Sequence, residues 1–170
     1  MPIIIFDLEG VLIDNSERLN YALSIIGARS IDAIPLRQRS RFWRIFLDLE
    51  LAKRMDRVND FGLQILSERS RNNRIAIVSG TTREIGSYQL DLIRRRAGEL
   101  SLNIRIDFVF LRPKGSKERA VVFKERILRW LLLEDDVVEI HDDEEEIVEM
   151  AKKYGVKGVL WRNLRPVSPL

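Results

Sequence analysis

Five short segments of the chain are apolar almost without interruption: Ile3–Phe6, Ile75–Val78, Ile104–Phe110, Val137–Ile140 and Val156–Trp161. A strand with one wet face alternates apolar and polar positions. These do not, so each is read as a strand covered on both sides, as in a parallel sheet. Between them the apolar positions fall at helical spacing. Leu19, Ala22, Leu23 and Ile26 follow i, i+3, i+4, i+7 and stop at Gly27; Phe42, Ile45, Phe46 and Leu49 repeat the pattern, as do Val58, Phe61 and Ile65. Ile85, Leu92 and Ile93 mark another helix, Ala120, Phe123, Ile127 and Leu131 the next, and Ile147, Met150, Ala151 and Tyr154 a last one before Gly155. Alternating strands and helices predict an α/β fold: a doubly wound, Rossmann-like, five-stranded parallel sheet with helices on both faces. One stretch is too long. From Asp14 to Asn73 the chain is helix-patterned where one crossover helix would suffice, so residues 15–72 are expected to contribute a small helical insert after the first strand, within a single domain spanning residues 1–170.

Composition narrows the chemistry. With 170 residues, 45% hydrophobic and 32% charged, the chain can bury one core. It has no cysteine and one histidine, which excludes disulfides, thiolate metal sites and cysteine nucleophiles and leaves little room for imidazole chemistry. The longest apolar runs are far short of the ~18 residues of a membrane span, and the N-terminus lacks the pattern of a secretory signal. A cytoplasmic protein with no membrane association is the expectation, and the oligomeric state is left open. Net charge is only +3, yet its distribution is uneven. Residues 111–129 carry seven Lys or Arg against two Glu, whereas residues 134–149 carry ten Asp or Glu and no base.

In a doubly wound sheet, ligands bind beyond the carboxyl ends of the strands. The first strand runs into Asp7-Leu8-Glu9-Gly10, the second into Ser79-Gly80-Thr81-Thr82, and the fourth into His141-Asp142-Asp143; Lys124 lies in the helix between the third and fourth strands. Three carboxylates without histidine or thiolate make a hard oxygen site, which selects Mg²⁺. A Ser hydroxyl, following backbone N–H groups and a Lys ammonium donate to phosphate oxygens. Such a cluster suits a phosphoryl group. Asp7 can serve as nucleophile and form an aspartyl-phosphate. Glu9, two residues on in extended chain, points the same way and can move the proton.

These four motifs, IIIFDLEGVLID, IAIVSGTT, Lys124 and VVEIHDD, resemble those of the haloacid dehalogenase superfamily of phosphatases, in order and over nearly the whole chain. Response-regulator receiver domains use a similar toolkit but place the lysine last; here it precedes the acidic pair. The resemblance implies Asp7 as nucleophile and metal ligand, Glu9 as acid/base with its carbonyl on the metal, Ser79 and Gly80 on phosphate, and Lys124 bridging nucleophile and phosphate. It implies Asp143 as the principal acidic Mg²⁺ ligand, with Asp142 as its partner. Most phosphatases of the family have Asp where this chain has Glu9, and a Glu variant is found in some branches. LRPKGSKERAVVFKERIL followed by Asp-Asp is also similar to the 3′-phosphatase domain of polynucleotide kinases, with Arg112 and Lys124 at matching positions. The expected substrate is thus a phosphorylated small molecule or a nucleic-acid 3′-phosphate.

Plainer roles compete for several of these residues. Thr82 is expected to cap the next helix, Glu144 and Glu145 to favour a helix start electrostatically, and His141 to be a hydrogen-bonded strand-end residue. Lys114 and Lys117 rival Lys124 for the site. Trp43, Trp130 and Trp161 are expected to fill core or insert packing. The alternative to an enzyme is a catalytically idle relative that binds nucleic acid or a protein through the Arg-rich segments 37–44 and 112–129.

Overall fold

The structure, a computed structural model, describes residues 1–170. The strands are β1 (Ile3–Phe6), β2 (Ile13–Asp14), β3 (Arg57–Val58), β4 (Arg74–Thr82), β5 (Phe108–Arg112), β6 (Val137–Asp142), β7 (Lys157–Arg162) and β8 (Arg165–Pro166). The α-helices are α1 (Ser16–Ile26), α2 (Arg39–Phe46), α3 (Leu49–Met55), α4 (Asp60–Ser70), α5 (Arg83–Glu99), α6 (Ala120–Glu134) and α7 (Glu145–Lys152). The main sheet runs β5-β4-β1-β6-β7-β8. Its first five strands are parallel, and β8 adds an antiparallel edge the apolar pattern does not announce, because its two residues close a turn rather than enter the core.

Strand β1 shows why the unbroken apolar runs arise. Ile4 and Phe6 pack with Leu63 and Leu66 of α4 and Leu90 and Ile93 of α5. Ile3 and Ile5 face the other way, into a second core with Phe123, Ile127 and Leu131 of α6 and Ile147 and Met150 of α7. Each face has its own helical layer, so every side chain of the strand is buried.

The third strand begins later than its apolar pattern predicts. Residues 102–107 have no regular secondary structure and stay outside the sheet ladder, while Leu102, Ile104 and Ile106 pack against the first core. Pairing starts only after Asp107, whose side chain and backbone both bond Ile75. Strand β4 is longer than Ile75–Val78 because it continues through the polar Ser79–Thr82, with its register against β5 shifting between Ser79 and Thr82.

Within residues 15–72, α4 packs on the sheet as the crossover helix, and the chain from α1 to α3 stands apart with a small core of Ala22, Leu23, Ile34, Phe42 and Phe46. The pattern Phe42–Leu49 is broken into α2 and α3, because Asp48 caps α3 by accepting from Leu51 N. The insert is closed at its base by β2 and β3, which pair antiparallel, and by Asn59, whose side-chain amide donates to the carbonyls of Val11 and Leu164 at 2.8 and 3.0 Å.

Candidate active site

The strand order places β1 between β4 and β6, with helices leaving these neighbours toward opposite faces. That reversal opens a crevice at the carboxyl ends of the strands. A cleft of about 760 Å³ occupies it, lined by Asp7, Glu9, Ser79, Gly80, Lys124 and Asp143 from the sheet side and by Leu19, Trp43 and Phe46 from the insert.

Asp7 follows β1 and is fixed by accepting Leu8 N at 2.8 Å. The chain then turns tightly, with the Leu8 carbonyl accepting from the amides of Val11, Leu12 and Ile13. Gly10 sits in this turn at φ +86°, where a Cβ would stand 2.2 Å from Asp143 Oδ2. Only glycine satisfies both the backbone and the close approach of the two loops.

Carboxylate oxygens of Asp7, Asp142 and Asp143 lie within 4.8 Å of one another. Lys124 is 3% exposed, and its ammonium stands 2.6 Å from Asp142 and 3.0 Å from Asp7. Lys114 is an exposed loop residue, and Lys117 is exposed at the rim of the cleft. The apolar ladder of α6, Phe123, Ile127, Leu128 and Leu131, turns the neighbouring Lys124 toward the sheet.

One ammonium serves three carboxylates, and the charges are out of balance. Burial raises Asp7 to about 6, against the pull of Lys124. Asp143 is pushed to about 8 by burial and by repulsion from Asp7 and Asp142. Burial also raises Asp142, although Lys124 opposes it. Burial favours a neutral Lys124, but Asp142 and Asp7 outweigh it and hold its pKa above the ordinary value. The surplus negative charge and all-oxygen donor set fit a hard divalent cation.

At the end of β4, Ser79 Oγ accepts from Thr81 N at 3.3 Å, and the buried Thr81 hydroxyl has no partner within the chain. Thr82 caps α5 by accepting from Ile85 N at 3.4 Å. Arg112 Nε is likewise buried without a partner, and its Nη2 stands 3.3 Å from where a Gly80 Cβ would be. His141 is structural: it stacks on Phe6 with centroids 4.3 Å apart, accepts from Trp161 Nε1 at Nδ1 and contacts Glu139 through Nε2. Trp161 is in the core and Trp130 packs edge-on against Phe108 and Phe110. Trp43 meets the expectation of insert packing against Phe42 and Phe46 and is in addition half-exposed on the cleft.

Glu9 reaches a group that sequence reasoning missed. Its Oε2 accepts from Arg18 and, at 3.2 Å, from Gln89 Nε2, and both donors also bind Asp56. Burial raises the Glu9 pKa despite the Arg18 charge. A signal existed for Arg18, which stands four residues before Ala22 on the inner face of α1. Asp56 and Gln89 carried none, since their partners are remote in sequence.

No family model and no curated protein matches the chain. Solved structures do. A haloacid dehalogenase-like hydrolase from Streptococcus pneumoniae superposes with a TM-score of 0.64 at 15% identity, over 94% of this chain and 84% of that one. The chain has the haloacid dehalogenase-like fold. A member of that family from Bacteroides thetaiotaomicron, solved as a magnesium complex, matches over 99% of this chain and 96% of its own, with a TM-score of 0.61 at 14% identity. A chain of the Pnkp1/Rnl/Hen1 RNA repair complex matches 94% of this chain at 15% identity and a TM-score of 0.53, with only 42% of its own length covered. The expectation of a haloacid dehalogenase-like α/β sheet is met, and no helix is long and apolar enough to cross a membrane.

Proposed function

We infer that the protein is a Mg²⁺-dependent phosphomonoester hydrolase that works through an aspartyl-phosphate on Asp7. The observation that carries this reading is the meeting of Asp7, Asp142 and Asp143, with Lys124 paired to Asp7 and Asp142, and with Asp7, Lys124 and Asp143 on the cleft that Ser79 and Gly80 also line. In this reading Ser79, Gly80 and Lys124 hold the phosphate oxygens. One Asp7 oxygen attacks phosphorus as the ester oxygen departs, and Glu9 gives that oxygen a proton. Glu9 then takes a proton from the water that attacks the acyl phosphate, which releases phosphate and restores Asp7. Asp7, Asp142, Asp143 and the Glu9 carbonyl are the groups that would hold the cation, which when bound neutralises charge on the oxygens in flight.

Hydrolysis of 4-nitrophenyl phosphate with and without Mg²⁺ tests the reading. Turnover should require the metal and fall to background in Asp7→Asn with the fold intact; unchanged turnover in that variant removes the mechanism.

A second observation favours a polynucleotide end as substrate. Arg37, Arg39, Arg41 and Arg44 are exposed on or beside α2, in the segment that carries Trp43, and Trp43, Arg112 and Lys117 line the cleft. Cations with an accessible aromatic ring suit a single strand. A 3′-phosphorylated oligonucleotide should be hydrolysed with a kcat/KM that falls as salt rises. A stronger preference for small sugar or amino-acid phosphates removes this reading, and tight oligonucleotide binding without turnover would leave only a binding module.

A further inference from the structure

Arg18 is the only arginine among the buried residues, with no exposed surface. It belongs to α1, in the insert, and four of the five N–H groups of its guanidinium have partners. Nε donates to Asp56 Oδ1 at 2.9 Å, Nη2 to Asp56 Oδ2 at 3.1 Å and to Glu9 Oε2, and Nη1 to the Phe46 carbonyl at the end of α2. The plane also lies 4.4 Å from the Phe46 ring centroid. Gln89 of α5 completes the ring by donating to Asp56 Oδ2 at 2.9 Å and to Glu9 Oε2 at 3.2 Å. Arg18 of the insert and Gln89 of α5 thus converge on a single oxygen of Glu9, while Asp56 and the Phe46 carbonyl hold the Arg18 fork, and Glu9 Oε1 accepts no bond from the chain.

A buried arginine is a poor device for stability alone, because an apolar residue of similar size packs as well without desolvation. It is a good device for orientation, since its planar fork fixes what it binds in direction as well as distance. Glutamate has one more rotatable bond than the aspartate common at this motif position. Unclamped, it would spread over several rotamers.

We propose that Arg18 is a positioning residue: by bridging Asp56, the Phe46 carbonyl and Glu9 Oε2, it sets the rotamer of Glu9 and ties that rotamer to the seating of the insert. The inference rests on the reading of Glu9 as proton donor. Its specific consequence is a dependence on the leaving group, because a nitrophenolate departs without a proton and an alkoxide does not.

The test compares kcat/KM for 4-nitrophenyl phosphate and benzyl phosphate. Arg18→Lys keeps the charge but loses the fork; it should lower kcat/KM about 10²-fold for benzyl phosphate and less than about tenfold for 4-nitrophenyl phosphate. Glu9→Gln should show the same pattern, and adding Arg18→Lys to Glu9→Gln should cost at most about twofold more, since coupled residues are not additive. Equal losses on both substrates, or a full further loss in the Glu9→Gln background, overturn the proposal while the Asp7 chemistry stands. If Arg18→Lys fails to fold, Gln89→Met, which removes the amide that bridges Glu9 and Asp56 beside Arg18 together with its unpartnered oxygen, carries the test. A loss selective for benzyl phosphate supports the clamp, and a uniform loss or none overturns it. A wild type that hydrolyses neither substrate fails at the level of the proposed function and takes this inference with it.

Discussion

Two residues decide whether the cluster holds together. Gly10 stands against the Asp143 carboxylate at positive φ, so Gly10→Ala must push the two loops apart. The expected result is a loss of Mg²⁺-dependent activity of at least ~10²-fold, since a misplacement of about 1 Å at a reacting centre costs that much. Steady-state kinetics checks it. Lys124 is the only cation touching Asp7 and Asp142. Lys124→Met should cost about 3 kcal/mol or more in urea unfolding without metal, because removing one partner leaves the others buried and uncompensated. The roles open to Asp7, Ser79 and Asp143 were legible in sequence because each follows the apolar run of a strand, and in a parallel sheet those runs end at a shared edge. Lys124 was separable from Lys114 and Lys117 only through the apolar ladder beside it. Arg18, Asp56 and Gln89 were not legible as a group: hydrogen bonding between residues 38 and 33 apart leaves no periodicity.

Among the elements, the insert couples most directly to the cleft. Its core is only five buried residues, centred on Phe42, and the adjacent Trp43 and Phe46 form one wall of the cleft. Phe42→Ala should destabilise by about 3 kcal/mol, read from urea unfolding, and should raise KM by displacing that wall. An unchanged KM in a destabilised protein would separate the insert from substrate binding. The sheet strands β1, β6 and β7 followed from their apolar runs within a residue or two. The late start of β5 and the extension of β4 did not, because they depend on Asp107 bonding and on the register shift beyond Ser79, both properties of the pair of strands. The antiparallel ribbon of β2 and β3 was invisible for a similar reason: two residues per strand are too few to show alternation.

For the molecule as a whole, the excess of carboxylates at the site links stability to pH and metal. Asp7 and Asp143 titrate at about 6 and about 8 when folded, above the 3.8 of a free Asp. The metal-free folded state therefore holds more protons from these groups than the unfolded chain does between about pH 4 and 8. Their contribution to stability falls as pH rises through that window. The buried His141, with its pKa lowered by desolvation, works in the opposite sense up to about 6.5. Between pH 6.5 and 8 the urea midpoint in EDTA should decline. Mg²⁺ should reverse the decline, and Asp143→Asn should abolish both the slope and the effect of Mg²⁺. The proposed mechanism requires that Asp7 become covalently phosphorylated during turnover. Acid quenching of the enzyme with Mg²⁺ and a phosphomonoester, followed by peptide mass mapping, should find one phosphoryl group on the peptide containing Asp7, and none in Asp7→Asn. Steady turnover with an unmodified Asp7 peptide at every quench time, or a phosphoryl group carried elsewhere in the chain, would contradict the account.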